Sequence, residues 1–297
     1  MASPTTPTHG KQGAVYRLRP NNFVGDGLND ATWGTGFSGA ASAYYEVEID
    51  AADTPDTFKW RKNGGAWTED VAITGAAQTL DDGQEITFAA TTGHTLGDKW
   101  WIGNLKDEAT TESGTEAQIT ESTRRILNPN SPPTFTDDGG AGVLSVDFVG
   151  GKAVFDANVG NVDVDGNNGY IPTGALEKVG YVIGWKLDVE VDFADITAMG
   201  DDWEDQVAGQ AKASGGADGF FIGKASWFDT LGDTADGSRA KFFLQLFNYD
   251  PDKDQSGDHF QCWCTLTGVK PDARIKQAVM ESVTFKIAGI PRFVADA

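Results

Sequence analysis

Thr74-Gly-Ala-Ala-Gln-Thr-Leu80, followed by Asp81-Asp-Gly-Gln-Glu-Ile-Thr-Phe88 and Thr92-Gly-His-Thr-Leu-Gly-Asp-Lys-Trp100, decides the fold of this chain. Short runs of β-branched and aromatic residues are bounded by Gly, Asp and Thr, the vocabulary of strands joined by tight turns. The stretch holds no nucleophile beside a base and no metal-ligand spacing, so it predicts a presentation module and not an enzyme. Immediately upstream, Tyr45-Glu-Val-Glu-Ile49 alternates apolar and polar, Phe58-Lys-Trp60 continues the pattern, and Asn63-Gly64 signals a two-residue hairpin. Five or six short strands within about 70 residues is a sandwich count. After Leu105 the run Lys106 to Glu116 loses its hydrophobic residues and reads as a return linker. Residues 38–117 are therefore expected to be an inserted β-sandwich. Gln118 to Arg125 suits a last strand or a short helix, and both remain open.

Working outward, residues 1–12 are rich in Pro and Thr and read as an N-terminal arm ahead of a strand at Gly13 to Arg19. Asn21 to Ser42 carries no sustained period and reads as a long loop. Further strands are expected at Val143–Phe148, Lys152–Phe155 and Asn161–Val164, with Asp165-Gly166 as a turn. Tyr181 to Phe193 is the longest alternating stretch. It sets Ile183, Trp185, Leu187, Val189, Val191 and Phe193 on one face and Lys186, Asp188, Glu190 and Asp192 on the other. One helix is expected, Asp201 to Ala213. Asp201 and Asp202 supply its N-cap and charge, Ser214-Gly215-Gly216 its stop, and Trp203 and Val207 a narrow apolar stripe. Strands at Gly219–Gly223, Lys241–Phe247, His259–Leu266 and Ala278–Gly289 close the chain. The fold class expected is all-β with one short helix, in a core formed by residues 1–37 and 118–297.

The chain has 297 residues, 37 of them Gly, with 11% aromatic side chains, and is long enough to bury a real core. Its 44 acidic against 23 basic side chains, a formal net charge of -21, argue against a nucleic-acid-binding surface, since phosphate affinity comes from cationic contacts. The same charge suits a wall that DNA slides past, and composition does not choose between the two. The N-terminus lacks a cationic region followed by an apolar one, and no segment approaches the roughly 18 to 20 apolar residues that span a bilayer. A soluble protein made in the cytoplasm is expected, with no membrane partner. Cys262 and Cys264 flank Trp263 and are expected to be reduced, buried thiols poorly disposed for a mutual disulfide.

Chemistry-bearing residues do not converge. Asp250, Asp252 and Asp254 take the first, third and fifth places of a calcium loop, but Gln255 stands where glycine is required and Gln261 where a bidentate Glu would sit. Asp163 to Gly169 is a similar acidic turn, and both read as hairpin tips. His9, His94 and His259 share no ligand spacing. No G-x-S-x-G, H-E-x-x-H or phosphate loop is present, so no catalytic residue, cofactor or metal is expected. Trp60, Trp67, Trp100 and Trp101 read as sandwich core, or as a stacking platform for glycans. Trp100 and Trp101 must face opposite ways on a strand, which makes Trp101 a candidate surface glycan contact.

The pattern I-T-G-x-x-Q-x-L, D-G-x-x-I-x-F and G-H-T-x-G-D-x-W over roughly residues 38 to 110 resembles the Ig-like β-domains that tailed bacteriophages append to structural proteins. The C-terminal half resembles the major tail tube proteins of long non-contractile, siphovirus-like phage tails. The likeness is carried by Val191-Asp-Phe-Ala-Asp-Ile-Thr-Ala-Met-Gly-Asp-Asp-Trp203, the helix after it, and Val283-Thr-Phe-Lys-Ile-Ala-Gly-Ile-Pro-Arg-Phe293, with His9-Gly-Lys-Gln-Gly-Ala-Val-Tyr16 at the N-terminus. The resemblance implies a β-sandwich or half-barrel that closes into a hexameric ring barrel, rings stacked head to tail, and an Ig-like insert displayed outside. It implies a virion tail protein assembled in the host cytoplasm and partnered by its own copies, a tape-measure protein and tail tip and terminator proteins. Duplex DNA passes through the lumen unbound. On this reading Asp188, Glu190 and Asp192 line the lumen and the helix of Trp203 and Val207 packs the ring. Alternatives are a receptor- or glycan-binding tail accessory protein acting through the insert, and a polysaccharide-active enzyme.

Overall fold

The structure, a computed structural model, describes residues 14–179, 182–195, 206–220, 241–247, 258–272 and 280–295. Among them the alternating stretches become strands joined by loops, and the helical segments are the 3-10 turns Pro20–Asn22, Ser122–Arg124 and Thr173–Ala175. In chain order the early strands are β1 (Ala14–Leu18), β2 (Phe23–Val24), β3 (Ala31–Trp33), β4 (Ala43–Ala51), β5 (Thr57–Lys62), β6 (Thr68–Ala72), β7 (Gln78–Thr79) and β8 (Glu85–Phe88). Then come β9 (Lys99–Glu108), β10 (Thr110–Ser113), β11 (Glu116–Ile119), β12 (Thr134–Asp137), β13 (Val143–Asp147), β14 (Lys152–Phe155), β15 (Val162–Tyr170) and β16 (Leu176–Val179). Five longer or later strands follow: β17 (Val182–Asp195), β18 (Gln206–Phe220), β19 (Phe242–Phe247), β20 (His259–Asp272) and β21 (Met280–Val294).

The chain divides into two units, one comprising Met1–Val15, Val179–Arg239 and Phe243–Ala297, the other Tyr16–Lys178 and Ala240–Phe242. The expected junctions at 37/38 and 117/118 both fall inside the second unit, because β9 pairs with β15 and β11 pairs with β14. That unit is built on a central sheet of order β12-β15-β9-β4-β5-β6, with β2 added to β9. The three-stranded sheet β3-β8-β7 and the central sheet share a core of Phe23, Val47, Ile49, Phe58, Ile86, Phe88 and Trp100. A second core, with Leu105, Ile119, Leu127, Phe155, Val164 and Tyr170, joins strands of the same sheet to the four-stranded sheet β10-β11-β14-β13. Each fully buried Phe or Leu contributes about 1.5–3 kcal/mol of transfer free energy. Strand β9 serves both cores, through Trp100 at one end and Leu105 at the other, so the unit continues past residue 117.

Turn chemistry behaves as the residues dictate, with two exceptions. Asn63 and Gly64 adopt φ of 50° and 69°, and Gly65 N donates to Lys62 O at 2.9 Å, a type I′ turn. Strand β6 nevertheless resumes only at Thr68, so the loop is longer than the two residues expected. Asp82-Gly83 forms the same turn, closed by Gln84 N on Asp81 O at 2.9 Å. Asp165-Gly166 is the second exception: it lies inside β15, whose pairing with β9 shifts register on both sides of Gly166. An interior amide chain holds this region. Asn104 Nδ2 donates to Gln84 Oε1 at 2.8 Å, Asn168 N to Asn104 Oδ1 at 2.9 Å, and Asn22 Nδ2 to Asn168 Oδ1 at 3.1 Å.

The remaining seven-stranded sheet has the order β16-β1-β19-β20-β21-β18-β17. It coils. Trp185 Nε1 on β17 donates to Phe247 O on β19 at 2.9 Å, and its ring lies edge-on to Phe260 of β20. A flat sheet would separate β17 from β19 by four strand spacings, about 19 Å, beyond the reach of one side chain. Among the described residues the sheet does not close, since β16 and β17 remain its two ends.

The expected helix is not present in the part that is described. Residues 201–205, with Trp203, lie outside the described residues, and 206–213 form the first half of β18, with Val207 opposite Ala194. The reason is steric. The run from Ala208 to Gly219 consists mainly of Ala, Gly and Ser, and its smallness serves close strand approach. A Cβ on Gly215 would meet Lys186 O at 2.6 Å and the Phe285 ring at 2.6 Å. Those neighbours on β17 and β21 fix the strand against a helical propensity that Gly209, Gly215 and Gly216 already weaken.

Candidate assembly surface of the long-stranded sheet

β17 is 14 residues long and ends its sheet, so its outer edge has no ladder partner among the described residues. Side chains alternate along it. Trp185, Leu187 and Val189 lie opposite Ala217, Gly215 and Ala213 of β18, and Ala217 and Gly215 in turn oppose Val283 and Phe285 of β21. Phe285 fills the space over Gly215, and Val283 and Phe285 are buried. Cover runs out along the strand: Val189 is 59% exposed.

The other face carries Lys186, Asp188 and Glu190, all exposed. Partners in register share a face, so Asp188 is in line with Ser214 and Lys286, Glu190 with Lys212, and Asp218 with Ser282 and Lys270. Lys186 Nζ also lies 3.6 Å from Asp188 Oδ2. The expected acidic row is thus interleaved with lysines, four of them against Asp188, Glu190 and Asp218 on the same described face. Asp192 sits at the register shift between Val191 and Phe193. Most of the acidic excess falls elsewhere: residues 16–178 hold 25 acidic against 11 basic side chains. Lys212 escaped sequence reasoning because it lay in the expected helix. Lys270 and Lys286 escaped it because only register places them beside β17.

Trp101 is not a surface contact. It is 8% exposed, its indole lies against Gly174, and Tyr44 is its ring neighbour at 6.0 Å. On a two-sided sheet both adjacent tryptophans are covered, Trp100 by the sandwich core and Trp101 by the Thr173–Ala175 turn. Trp67 is more open, yet Lys59 Nζ and the Arg61 guanidinium lie 4.8 and 4.4 Å from its ring centre. Those cations occupy the surface on which a sugar would stack. The same two cations pair with Glu48 and Glu46 on the neighbouring strand.

Other candidates are absorbed by local structure. Asp165 accepts from Lys106 Nζ and Asp107 N, at 3.2 and 3.1 Å. Asp250, Asp252, Asp254 and His9 lie outside the described residues. His94 is buried between Asp56 and Asp30, each 2.9 Å from one ring nitrogen. His259 stacks on Phe247 at 4.3 Å. Among the described residues no three His, Cys, Asp or Glu side chains group as a metal site, and no helix is long and apolar enough to cross a membrane. Cys262 and Cys264 are free and buried, as expected, and burial pushes the Cys264 thiol well above its ordinary value. Their sulfurs, however, approach to 3.3 Å.

No family model matches the chain, and no curated protein matches it. Among solved structures it is similar to a chain in the tail of an empty gene transfer agent (GTA) particle with C6 symmetry, at 18% identity over 41% of this chain and 89% of that one, TM-score 0.33. It is similar to a chain in the virion of a native GTA particle, at 18% identity over 40% and 89%, TM-score 0.32. It is also similar to a chain in the six-fold symmetrised baseplate of the anti-feeding prophage, at 13% identity over 38% and 78%, TM-score 0.27.

Proposed function

We propose that the chain is a structural subunit of a phage-type tail tube, six copies closing into a ring and rings stacking head to tail around a lumen that passes duplex DNA. The observation that carries this reading is the open end of the long-stranded sheet. A 14-residue edge strand with an uncovered apolar residue is a template for another strand. Closed cyclic symmetry removes such edges, and head-to-tail stacking of two unlike faces gives a filament. The sequence resemblance to tail tube proteins runs through the same strands, β17, β18 and β21.

On this reading the face of Lys186, Asp188, Glu190 and Lys212 lines the lumen, with Asp192 further along the same strand. Its interleaved charges give a polyanion neither a continuous cationic track nor a uniformly repulsive wall. The expected insert, residues 38–117, falls within the unit Tyr16–Lys178, and on this reading it is displayed on the outside of the tube. The chain leaves the long-stranded sheet on β1 and returns on β16, which are neighbours in it, as an inserted module requires. Assembly in the host cytoplasm with tape-measure, tip and terminator proteins completes the reading, and no catalytic step belongs to it. The buried Trp101 and the cation-covered Trp67 favour display without glycan recognition.

Sedimentation over rising protein concentration tests the edge. The wild-type chain is expected to shift to hexamers and larger species, and Val189→Lys to remain monomeric with an unchanged circular dichroism spectrum. A wild-type protein that stays monomeric throughout, or a Val189→Lys variant that assembles equally well, contradicts the assignment.

A further inference from the structure

Strand β20 carries a pair of thiols that the proposed assembly does not use. Cys262 and Cys264 are two residues apart, fully buried, and their sulfurs are 3.3 Å apart. A disulfide bond is about 2.0 Å long, so bonding needs the sulfurs to close by little more than an ångström. The neighbouring strand explains how the pair can be reached. Gln261 opposes Arg292 and Trp263 opposes Ala288, so Cys262 faces the extra residues Gly289, Ile290 and Pro291 of β21. Pro291 has no N–H to donate, Gly289 adopts φ of 92°, and Ile290 is 83% exposed. The ladder is interrupted beside Cys262, and local opening is easiest where backbone bonds are missing.

We propose that Cys262 and Cys264 form a modification site that a small disulfide of the glutathione type oxidises to an intrastrand disulfide. Cys262, beside the bulge, attacks one sulfur of oxidised glutathione as its thiolate and expels one glutathione thiolate. Cys264 then gives up its proton and attacks the Cys262 sulfur of the mixed disulfide, expelling the second glutathione. Two protein thiols are oxidised, one glutathione disulfide is reduced to two thiols, and the two protons released go to those thiols. Burial keeps the second sulfur protonated, so ring closure is the slow step and the mixed disulfide accumulates first.

The test uses the folded full-length chain incubated with oxidised glutathione, its fold checked by circular dichroism, then denatured, alkylated and weighed by intact-mass spectrometry. The expected product carries no alkyl group, is lighter by two hydrogens, and regains two alkylatable thiols with dithiothreitol. Cys264→Ser is expected to stop at a single glutathione adduct on Cys262. Two free thiols after incubation, a bond that forms only in urea, covalent dimers in place of the internal bond, or a Cys264→Ser chain without an adduct would each overturn the proposal. None of these results depends on whether the chain assembles.

Discussion

Trp100 is the residue on which the second unit closes. It is fully buried, lies 5.0 Å from the Phe23 ring and 5.2 Å from Phe88, and donates its indole N–H to Asn29 Oδ1 at 3.1 Å. Trp100→Ala leaves both a cavity and an orphaned acceptor, and is expected to cost about 3–5 kcal/mol in urea denaturation. Asp137 sets a pH dependence. Its carboxylate accepts from Ala141 N at 3.0 Å and Gly160 N at 3.3 Å, and these donors hold it below the ordinary carboxylate range. The folded state therefore binds this proton less readily than the unfolded chain. The stabilisation is complete above the unfolded carboxyl value, about 4, and is lost as pH falls toward the folded one. Melting temperatures between pH 6 and pH 3 should fall less steeply in Asp137→Asn than in wild type; parallel slopes would refute this role. At this scale the sequence disclosed that Trp100 and Trp101 face opposite ways, but not that both faces of β9 are covered. Exposure depends on what a distant segment, here Thr173–Ala175, brings over the sheet.

Elements were legible where side chains alternate and illegible where they shrink. β4, β5, β17 and β21 follow from their period of two, β19 from a nearly unbroken run of Phe and Leu, and the turns at Asn63-Gly64 and Asp82-Gly83 from their residue pairs. β18 does not, because residues 208–219 carry almost no apolar pattern and Asp201 and Asp202 imitate a cap. What fixes this strand is the close approach of β17 and β21, a non-local fact. Two substitutions separate close approach from backbone freedom. Gly215→Val must displace Phe285 and the Lys186 carbonyl and is expected to destabilise the sheet by about 2 kcal/mol or more. Gly184→Ala, with nothing within 4 Å of the added carbon, is expected to be neutral or slightly stabilising. Thermal unfolding of the two variants gives the comparison, and equal losses would remove close packing as the cause.

For the whole molecule, the class was legible and the partition was not. Turn-rich, strand-rich composition announces an all-β chain, and the resemblance of its C-terminal strands suggested what they build. Residues 106–116 looked like a linker because they are polar, yet they run through the end of β9 and the edge strand β10 into β11, an inner strand of the four-stranded sheet whose Ala117 and Ile119 are buried. The charge of the proposed lumen face was likewise hidden, since it is set by register among β17, β18, β20 and β21. The central claim is that the open sheet is completed by other copies of the chain. Electron microscopy of the concentrated protein, with six-fold averaging tested against other symmetries, addresses it most directly. The account predicts rings or stacked tubes with a central hole, six-fold order and peripheral knobs from the Tyr16–Lys178 unit. Particles that remain compact and without a hole at every concentration, or rings in which the knobs face the hole, would contradict it.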